Sequence, residues 1–327
     1  MLPTLRAEIR KTVDLYCEEP LFREAMLCAL ARPGFVLHPQ APCRAGIFTL
    51  EVYKAISGSS PSVAAIQAAV AVELHMQAAY MFDNVADCDM DLGGDFGSAE
   101  VLAMAIGLLS CGQAGVYEAA YAAGRHGSSL QSLLRWFRDC ASSCCAGQFL
   151  DAYLEKRPLT TIDEAIKMTS LKAGSLGRFA AGLGASMATD SREMLRLCGD
   201  FGFNLFAYLQ LVDDLRDACP AQAPQRDLMR HKKTLPLVFF HNSLAEKNPG
   251  AVCSIMPADV FGGNRVDVLR AFEASGAQVF GAIVAEAFLN RAKSNLTDVK
   301  NRVATAGNLE RFVTYFEINP QEVVACL

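Results

Sequence analysis

The sequence predicts an all-α protein in which residues 1–327 form one large helical domain. Several long stretches carry apolar residues at helical spacing, whereas the alternating apolar and polar runs of strands are nearly absent. Hydrophobic residues make up 52% of the chain and charged residues 20%, so a sizeable core is available. The breaks between stretches are short, and none has the composition of a domain linker. Helices that are apolar on several faces are typical of a large bundle.

Start and stop signals delimit the main helices. Ser62 follows Pro61 and precedes an Ala-rich stretch, so it is a candidate N-cap. Gly124 ends the next stretch, and Thr161 with Glu164 has the spacing of a capping box at the start of a later one. The predicted helices, in chain order, are 62–82, 98–123, 130–155, 163–188 and 191–217.

Composition argues against several functional classes. The net charge of −5 disfavours nucleic acid as a partner. No uninterrupted apolar run approaches the ~20 residues that a membrane span needs, and the N-terminal 19 residues are too charged for a secretion signal. The 12 cysteines include no C-x-x-C pair, which favours buried free thiols over zinc ligands. These observations predict a cytoplasmic protein.

The first acidic segment follows an apolar helix and carries its carboxylates on one face. Asp83, Asp87 and Asp91 are spaced i, i+4 and i+8, so neighbouring side chains lie about 5–6 Å apart on a helix. Like charges at this spacing repel each other, and the arrangement therefore favours a bound cation. Carboxylate oxygens are the ligands that Mg²⁺ prefers, and Mg²⁺ commonly bridges one or two carboxylates to substrate phosphates.

The second acidic segment repeats this pattern near the end of the helix 191–217. Asp213 and Asp217 share one face of that helix, with Asp214 about 100° round it. A single pair of this kind at a helix end is usually a solvated surface, and that interpretation stays open for each segment. Two such segments, each following a long apolar helix, favour a magnesium site that a diphosphate completes.

Six elements in the same order resemble the trans-polyprenyl diphosphate synthase superfamily, from about residue 40 to residue 240. The resemblance implies the isoprenoid synthase fold, an all-α bundle with a central cavity. The elements are Glu73-Leu74-His75 with Asp83-Asn84-Val85-Ala86-Asp87, Gly147-Gln148-Phe149-Leu150-Asp151, Lys172-Ala173-Gly174, Gly184-Ala185, Gln210 through Asp217, and Asp227-Leu228 with Lys232-Lys233-Thr234-Leu235-Pro236.

The resemblance also implies the roles of individual residues and a magnesium cofactor. Lys172 and Lys232 match the family's cationic donors to the diphosphate, and Lys233 or Arg230 takes that role if the register shifts. Gln210, one turn before the second acidic segment, is placed to orient a ligand or the cation. Asp214 belongs to the catalytic cluster without being assigned to the metal. The expected magnesium ligands are Asp83, Asp87, Asp213 and Asp217.

Two basic elements of the family are replaced here. Residues 40–46 contain Arg44 as their single cation, and residues 90–94 contain neither Lys nor Arg. In chain-elongating members these elements hold the diphosphate of isopentenyl diphosphate, for which Lys and Arg are suited. Arg44 is therefore the one candidate ligand left in this region. The first motif also has Asn84 in place of an Asp, which keeps an oxygen donor but removes a charge.

These departures predict a class I terpene synthase, which ionises one allylic prenyl diphosphate and releases pyrophosphate. The alternatives are a prenyltransferase, either chain-elongating or acting on a non-diphosphate acceptor, and an inert partner subunit of an active synthase. In the family, side chains four and five residues before the first motif limit the prenyl chain length. Here they are the small Ala79 and Ala78, which predict a substrate of C20 or longer. Because relatives often pair, a homodimer is the expected assembly.

Overall fold

The computed structural model describes residues 1–41, 44–87, 95–218, 227, 232–247 and 265–316. Over these ranges the chain is helical and contains no strand, which confirms the predicted all-α class. A π-helical turn, Ser170–Gly174, joins α7 to α8, and a 3₁₀ turn, Ala304–Gly307, precedes α13. The α-helices are α1 (Leu2–Tyr16), α2 (Pro20–Leu30), α3 (Arg44–Ser57), α4 (Val63–Ala86), α5 (Ser98–Ala122), α6 (Gly127–Glu155), α7 (Ile162–Thr169), α8 (Ser175–Ser186), α9 (Arg192–Ala218), α10 (Leu235–Lys247), α11 (Arg265–Ala274), α12 (Ala277–Lys300) and α13 (Asn308–Phe316).

Side-chain caps make the predicted helix starts. The Ser62 hydroxyl accepts a hydrogen bond from the Ala65 N–H at 3.2 Å, at the start of α4. At the start of α7, the Glu164 N–H donates to the Thr161 hydroxyl at 3.1 Å, and the Thr161 N–H donates to the Glu164 carboxylate at 2.9 Å. These bonds satisfy backbone donors that have no partner within the helix, and they confirm both predicted starts.

The stretch 163–188, predicted as one helix, changes its hydrogen-bonding pattern in the middle. Helix α7 ends at Thr169, and the Ser175 N–H donates to the Ser170 carbonyl five residues earlier, as in a π turn. Helical spacing alone did not predict this turn, because a π turn inserts a residue without interrupting the helix. Such turns recur at functional sites, and Lys172 lies within this one.

The chain divides into two compact units. The first comprises Met1–Ser142, Leu176–Gly202 and Ser294–Phe312. The second comprises Ser143–Ser175, Phe203–Lys293 and Val313–Leu327. The single domain predicted over residues 1–327 stays a prediction, because compact units of this kind occur within domains as well as between them.

In the first unit, α4 contacts α1, α3 and α5. Helix α5 approaches α4 so closely that a Cβ added at Gly115 would lie 3.2 Å from the Ala71 Cβ. The apolar cluster around these helices includes Leu5, Ile9 and Leu74, none of which is exposed. Burying an aliphatic side chain of this size stabilises the fold by about 1.5–3 kcal/mol. This cluster therefore anchors α4, whose end carries the first acidic segment.

Helix α5 is the one described helix that is by itself long and apolar enough to cross a membrane. Its most apolar 18-residue window has a mean hydropathy of 1.5, and 44% of that window is buried. The pair 266–274 and 277–300 also meets the composition criterion, but it is bent by 52° at its break. Because buried core helices share these properties, the finding is weak evidence for a span. The cytoplasmic location stays a prediction.

The second unit has an apolar cluster of its own, centred on α10 and α11. The Phe240 and Phe272 rings meet edge to face, with centroids 5.3 Å apart, and both side chains are fully buried. Helix α10 also contacts α7, and the Asn242 side-chain amide donates to the Thr160 carbonyl at 3.1 Å. These contacts hold α10 against the segment that precedes α7.

Candidate active site

In the second unit, α6 and the π turn approach each other closely at Gly147. A Cβ at this position would lie 2.7 Å from the Lys172 backbone nitrogen, closer than real Cβ atoms come to any atom. The close approach therefore requires glycine. One turn further along α6 lies Asp151, which the approach brings within reach of the Lys172 side chain.

Asp151 accepts hydrogen bonds from two lysines on a single oxygen. Its Oδ2 lies 2.7 Å from Lys172 Nζ and 3.5 Å from Lys232 Nζ. Lys232 Nζ also lies 2.8 Å from Oε1 of Glu155, which is one turn further along α6. Asp151 is 4% exposed, and its Oδ1 has no hydrogen-bond partner in the part of the chain that the structure describes. Two cationic side chains therefore converge on one buried carboxylate.

Asp151 and Glu155 are candidate site residues that sequence reasoning did not identify. Asp151 was matched to a motif without a role, and Glu155 was not considered. Their i, i+4 spacing on α6 was the available signal, because it places both carboxylates on the same face of the helix. Which cations meet that face is a tertiary question.

The next lysine in the chain, Lys233, has a different partner. Its Nζ lies 3.4 Å from Nδ1 of His241, and both side chains are buried. Burial lowers the pKa of Lys233, and the negative charge of Glu155 opposes this shift. Lys232 is therefore the lysine of this motif that shares Asp151 with Lys172. Arg230, the other alternative, lies outside the described residues.

The second acidic segment forms the end of α9 and divides its carboxylates between two environments. Asp213 and Asp217 are exposed, and Asp213 Oδ1 lies 3.4 Å from Nη1 of Arg216. Asp214 is buried, and its Oδ1 accepts a hydrogen bond from Gln210 Nε2 at 2.9 Å. Burial raises the pKa of Asp214 well above its ordinary value, and the Gln210 hydrogen bond opposes this shift. The burial difference agrees with the two faces expected from spacing.

The first acidic segment lies in the first unit, at the C-terminal end of α4. Asp83 is in the last turn, and Asp87 caps the helix by donating its N–H to the Asp83 carbonyl at 2.8 Å. Both side chains are half-buried. Carboxylates at this end lie near the negative pole of the helix dipole, which favours a bound cation. Asp91, the third predicted member, lies outside the described residues.

The side chains of each acidic segment fit a divalent cation of the magnesium type. Asp83 and Asp87 in the first unit offer carboxylate oxygens, and so do Asp213 and Asp217 in the second. Hard oxygen donors of this kind, completed by water and phosphate, are the usual magnesium ligands. Beside the second pair, Oδ2 of Asp214 is buried without a hydrogen-bond partner among the described residues, as occurs where an ion or water is bound.

Arg44 is exposed at the first residue of α3, and the segment before it is fastened to α1. The Arg6 guanidinium donates hydrogen bonds to the carbonyls of Val36, Pro39 and Ala41, at 2.9, 3.1 and 2.6 Å. These three bonds fix the backbone that leads towards residues 40–46. Sequence reasoning did not predict this role, because nothing around residue 6 indicates a partner thirty residues away.

Glu73, from the first family element, joins α4 to the start of α3. Its Oε2 accepts a hydrogen bond from the Gly46 N–H at 2.7 Å, and its Oε1 accepts one from Gln77 Nε2 at 2.9 Å. Gln77 Oε1 in turn accepts from the Val36 N–H at 3.1 Å. Burial raises the pKa of Glu73, and the hydrogen bonds from Gly46 and Gln77 oppose the shift. In these contacts Glu73 holds the backbone at the start of α3 and the Gln77 side chain.

Replacing Glu73 by alanine is expected to lower the free energy of unfolding by about 2–4 kcal/mol, because it leaves two buried donors without an acceptor and opens a cavity. Glu73→Gln keeps an acceptor and should cost less. Urea unfolding at pH 7 measures both changes. An alanine variant within 0.5 kcal/mol of wild type, a margin typical of surface sites, would contradict this role.

The same measurement should depend on pH. Because the folded-state pKa of Glu73 is raised, the unfolded state releases its proton first as pH rises, and wild type loses stability above the unfolded pKa. Glu73→Gln has no such proton. The stability deficit of that variant should therefore shrink between acidic and neutral pH.

Known proteins resemble this chain in sequence and in structure. The family model described as "Polyprenyl synthetase" matches residues 45–256. A geranylgeranyl diphosphate synthase of Mycobacterium tuberculosis (strain ATCC 25618 / H37Rv) is 33% identical over 121 residues. That alignment spans 35% of this chain and 35% of the relative, about a third of each protein.

Solved structures share the whole fold. The geranylgeranyl pyrophosphate synthetase of Geoglobus acetivorans superposes with a TM-score of 0.76 at 17% identity, over 96% of this chain and 97% of that one. A polyprenyl synthase from Caulobacter crescentus CB15, complexed with calcium and isoprenyl diphosphate, gives 0.70 at 18% identity, over 96% and 97%. These similarities confirm the predicted isoprenoid synthase fold.

Proposed function

Because the chain belongs to the polyprenyl synthetase family, we propose that it is a prenyltransferase that uses Mg²⁺ and an allylic prenyl diphosphate. It would transfer the prenyl group to an acceptor and release pyrophosphate. The similar proteins are named geranylgeranyl diphosphate synthase and polyprenyl synthase, which supports this alternative over the terpene synthase that the sequence predicted. The homodimer expected from the resemblance stays a prediction.

The observation that carries the proposal is the pair of lysines at Asp151. Lys172 and Lys232 place two ammonium groups at one buried carboxylate, in the unit that also contains the second acidic segment. A diphosphate needs cationic donors and a metal ion together, because its charge is high and the prenyl cation forms only as that charge is neutralised. Lys172 and Lys232 would donate hydrogen bonds to the diphosphate oxygens.

We propose that the exposed or half-buried carboxylates of each acidic segment bind Mg²⁺. When bound, Mg²⁺ supplies the charge neutralisation that makes pyrophosphate a good leaving group. Asp214 is buried beside Asp213 and accepts a hydrogen bond from Gln210 on the same helix, and we include Asp214 in the catalytic cluster as the neighbour of a proposed ligand. The proposed ligands are Asp83, Asp87, Asp213 and Asp217.

The prenyl chain is proposed to be C20 or longer. Ala78 is fully buried in the apolar cluster of the first unit, and Ala79 is half-buried. Neither side chain extends beyond Cβ, so neither offers the bulk that would limit the length of a prenyl chain beside α4. This supports the chain length suggested by the same two residues in the sequence.

One observation favours a second candidate, a terpene synthase that needs no diphosphate acceptor. Arg44 is the single cation of residues 40–46 and is exposed at the start of α3. Residues 90–94, which lie outside the described ranges, contain no Lys or Arg. A second diphosphate would lack the cationic forks that usually bind it. A prenyltransferase with a non-diphosphate acceptor also agrees with this deficit.

The two candidates differ in what they make from the same substrates. Purified protein is incubated with Mg²⁺ and geranyl, farnesyl, geranylgeranyl or geranylfarnesyl diphosphate, with and without isopentenyl diphosphate. A chain-elongating prenyltransferase makes a longer diphosphate only when isopentenyl diphosphate is present, detected by mass spectrometry. A hydrocarbon or alcohol from one substrate alone would replace the proposal with the terpene synthase. Pyrophosphate release under no condition would contradict both chain elongation and the terpene synthase, and would leave transfer to a non-diphosphate acceptor.

A further inference from the structure

We propose that Asp151 is a positioning residue, which sets Lys172 and Lys232 at the mutual spacing that one diphosphate group requires. This inference rests on the proposed function, because it concerns the same two lysines. Neither the family resemblance nor the comparisons assign Asp151 this role, which the geometry of its contacts with the two lysines supports.

A single oxygen atom, Oδ2 of Asp151, sets the spacing of the two lysine ammonium groups. Lys172 Nζ and Lys232 Nζ lie 2.7 and 3.5 Å from the same Oδ2 of Asp151. The two nitrogens are therefore no further apart than the sum of these distances, although the residues are far apart in the chain. Two ammonium groups this close can contact the oxygens of one diphosphate simultaneously.

Lys172 and Lys232 need a counter-ion to stay close to each other. Two like charges repel strongly where water is largely excluded, and the side chains of Lys172 and Lys232 are only 20% and 9% exposed. Each lysine also has a long flexible stem, whose ordering costs conformational entropy. The negative charge of Asp151 offsets this repulsion. Helix α6 holds Asp151 in position, and Gly147 on the same helix allows the close approach of the π turn that contains Lys172.

Positioning of the two lysines explains the buried Asp151 better than a contribution to folding stability does. Buried ion pairs contribute little net stability, because removing the charges from water offsets their attraction. A buried carboxylate that organises two cations has a clearer use in binding an anion, since preorganised donors lose less entropy when they bind. Glu155 is the matched comparison, because of the two lysines at Asp151 its ion pair among the described residues is with Lys232.

The test measures binding of inorganic pyrophosphate in the presence of Mg²⁺ by titration calorimetry, on the full chain. Asp151→Asn is nearly isosteric and is expected to weaken binding about tenfold or more, by analogy with the loss of a residue that orients a metal ligand. Asp151→Glu keeps the charge but moves the carboxylate by one methylene, and it should also weaken binding. Circular dichroism and urea midpoints check that each variant is folded.

Double-mutant cycles give the readout that a structural role would not move. In a Lys172→Met or a Lys232→Met background, Asp151→Asn should cost much less than in wild type. Glu155→Gln should show this non-additivity with Lys232→Met and none with Lys172→Met.

The outcomes distinguish the two proposals. Wild type that fails to bind Mg²⁺ and pyrophosphate would remove the proposed function. Wild type that binds them, with Asp151→Asn binding equally well or additively with both lysine variants, would overturn the positioning role alone. If Asp151→Asn does not fold, Asp151→Glu decides: unchanged affinity in that variant overturns the inference.

Discussion

Replacing Asp213 by alanine is expected to lower turnover of a prenyl diphosphate by about a thousandfold or more, because a metal ligand at the leaving group contributes several kcal/mol to the transition state. The same loss is expected for Asp83→Ala, at the end of α4. Asp213 is exposed and Asp83 is half-buried, so neither truncation should open a cavity in the apolar core. Turnover is measured as pyrophosphate release at several Mg²⁺ concentrations.

A matched control exists on α6. Asp139 is also an exposed aspartate, and it pairs with the adjacent Arg138 at 2.6 Å. Asp139→Ala should leave turnover within a factor of two of wild type, since exposed pairs of this kind contribute about 0–1 kcal/mol. Full activity in Asp213→Ala or Asp83→Ala would remove that residue from the proposed metal ligands. If Asp139→Ala lost as much turnover as these variants, the loss would reflect impaired folding and not the loss of a metal ligand.

Replacing Gly147 by alanine should reduce both stability and activity, against the direction of helix propensity. Alanine is favoured over glycine inside a helix by about 1 kcal/mol, so propensity predicts stabilisation. The new Cβ would instead lie 2.7 Å from the backbone nitrogen and 2.8 Å from the Cγ of Lys172. Overpacking of this kind costs about 1–3 kcal/mol, and the displaced Lys172 should lower turnover by about a hundredfold.

The comparison for this variant is Gly307→Ala, where no atom lies within 4 Å of the new Cβ. That variant should keep the unfolding midpoint and the activity of wild type. Thermal unfolding and pyrophosphate release are measured on both. If Gly147→Ala is as stable and active as Gly307→Ala, the π turn tolerates a shift at Lys172, and the close approach has no catalytic consequence.

Residues of the acidic segments illustrate how far local pattern reaches. The spacing of Asp213, Asp214 and Asp217 places the first and last on one face, and the structure exposes those two while burying the middle one. Helical periodicity depends on residues within a few positions of each other in the chain, so the sequence alone predicts it. Burial raises the pKa of Asp214, and the spacing of the three aspartates did not predict how deeply this side chain is buried.

The functional prediction shows a different limit. Arg44 is the single cation of residues 40–46 and residues 90–94 contain none, which led to the prediction of a terpene synthase. The similar proteins are instead named geranylgeranyl diphosphate synthase and geranylgeranyl pyrophosphate synthetase. Missing cations indicate what a site does not bind in the usual way. They do not identify the acceptor, because a neutral acceptor requires no motif that a single sequence reveals.

The amino-acid sequence by itself determined the helical class, the helix starts at Ser62 and Thr161, and the order of the motifs, because these depend on residues within a few turns of each other. Only the tertiary structure decided that Lys172 and Lys232 converge on Asp151, 21 and 81 residues away in the chain. It also decided that Lys233 meets His241 instead. Such contacts depend on how closely the helices pack. At Gly147 the absence of a Cβ lets α6 approach the backbone of Lys172, and no local periodicity in the sequence indicates this approach.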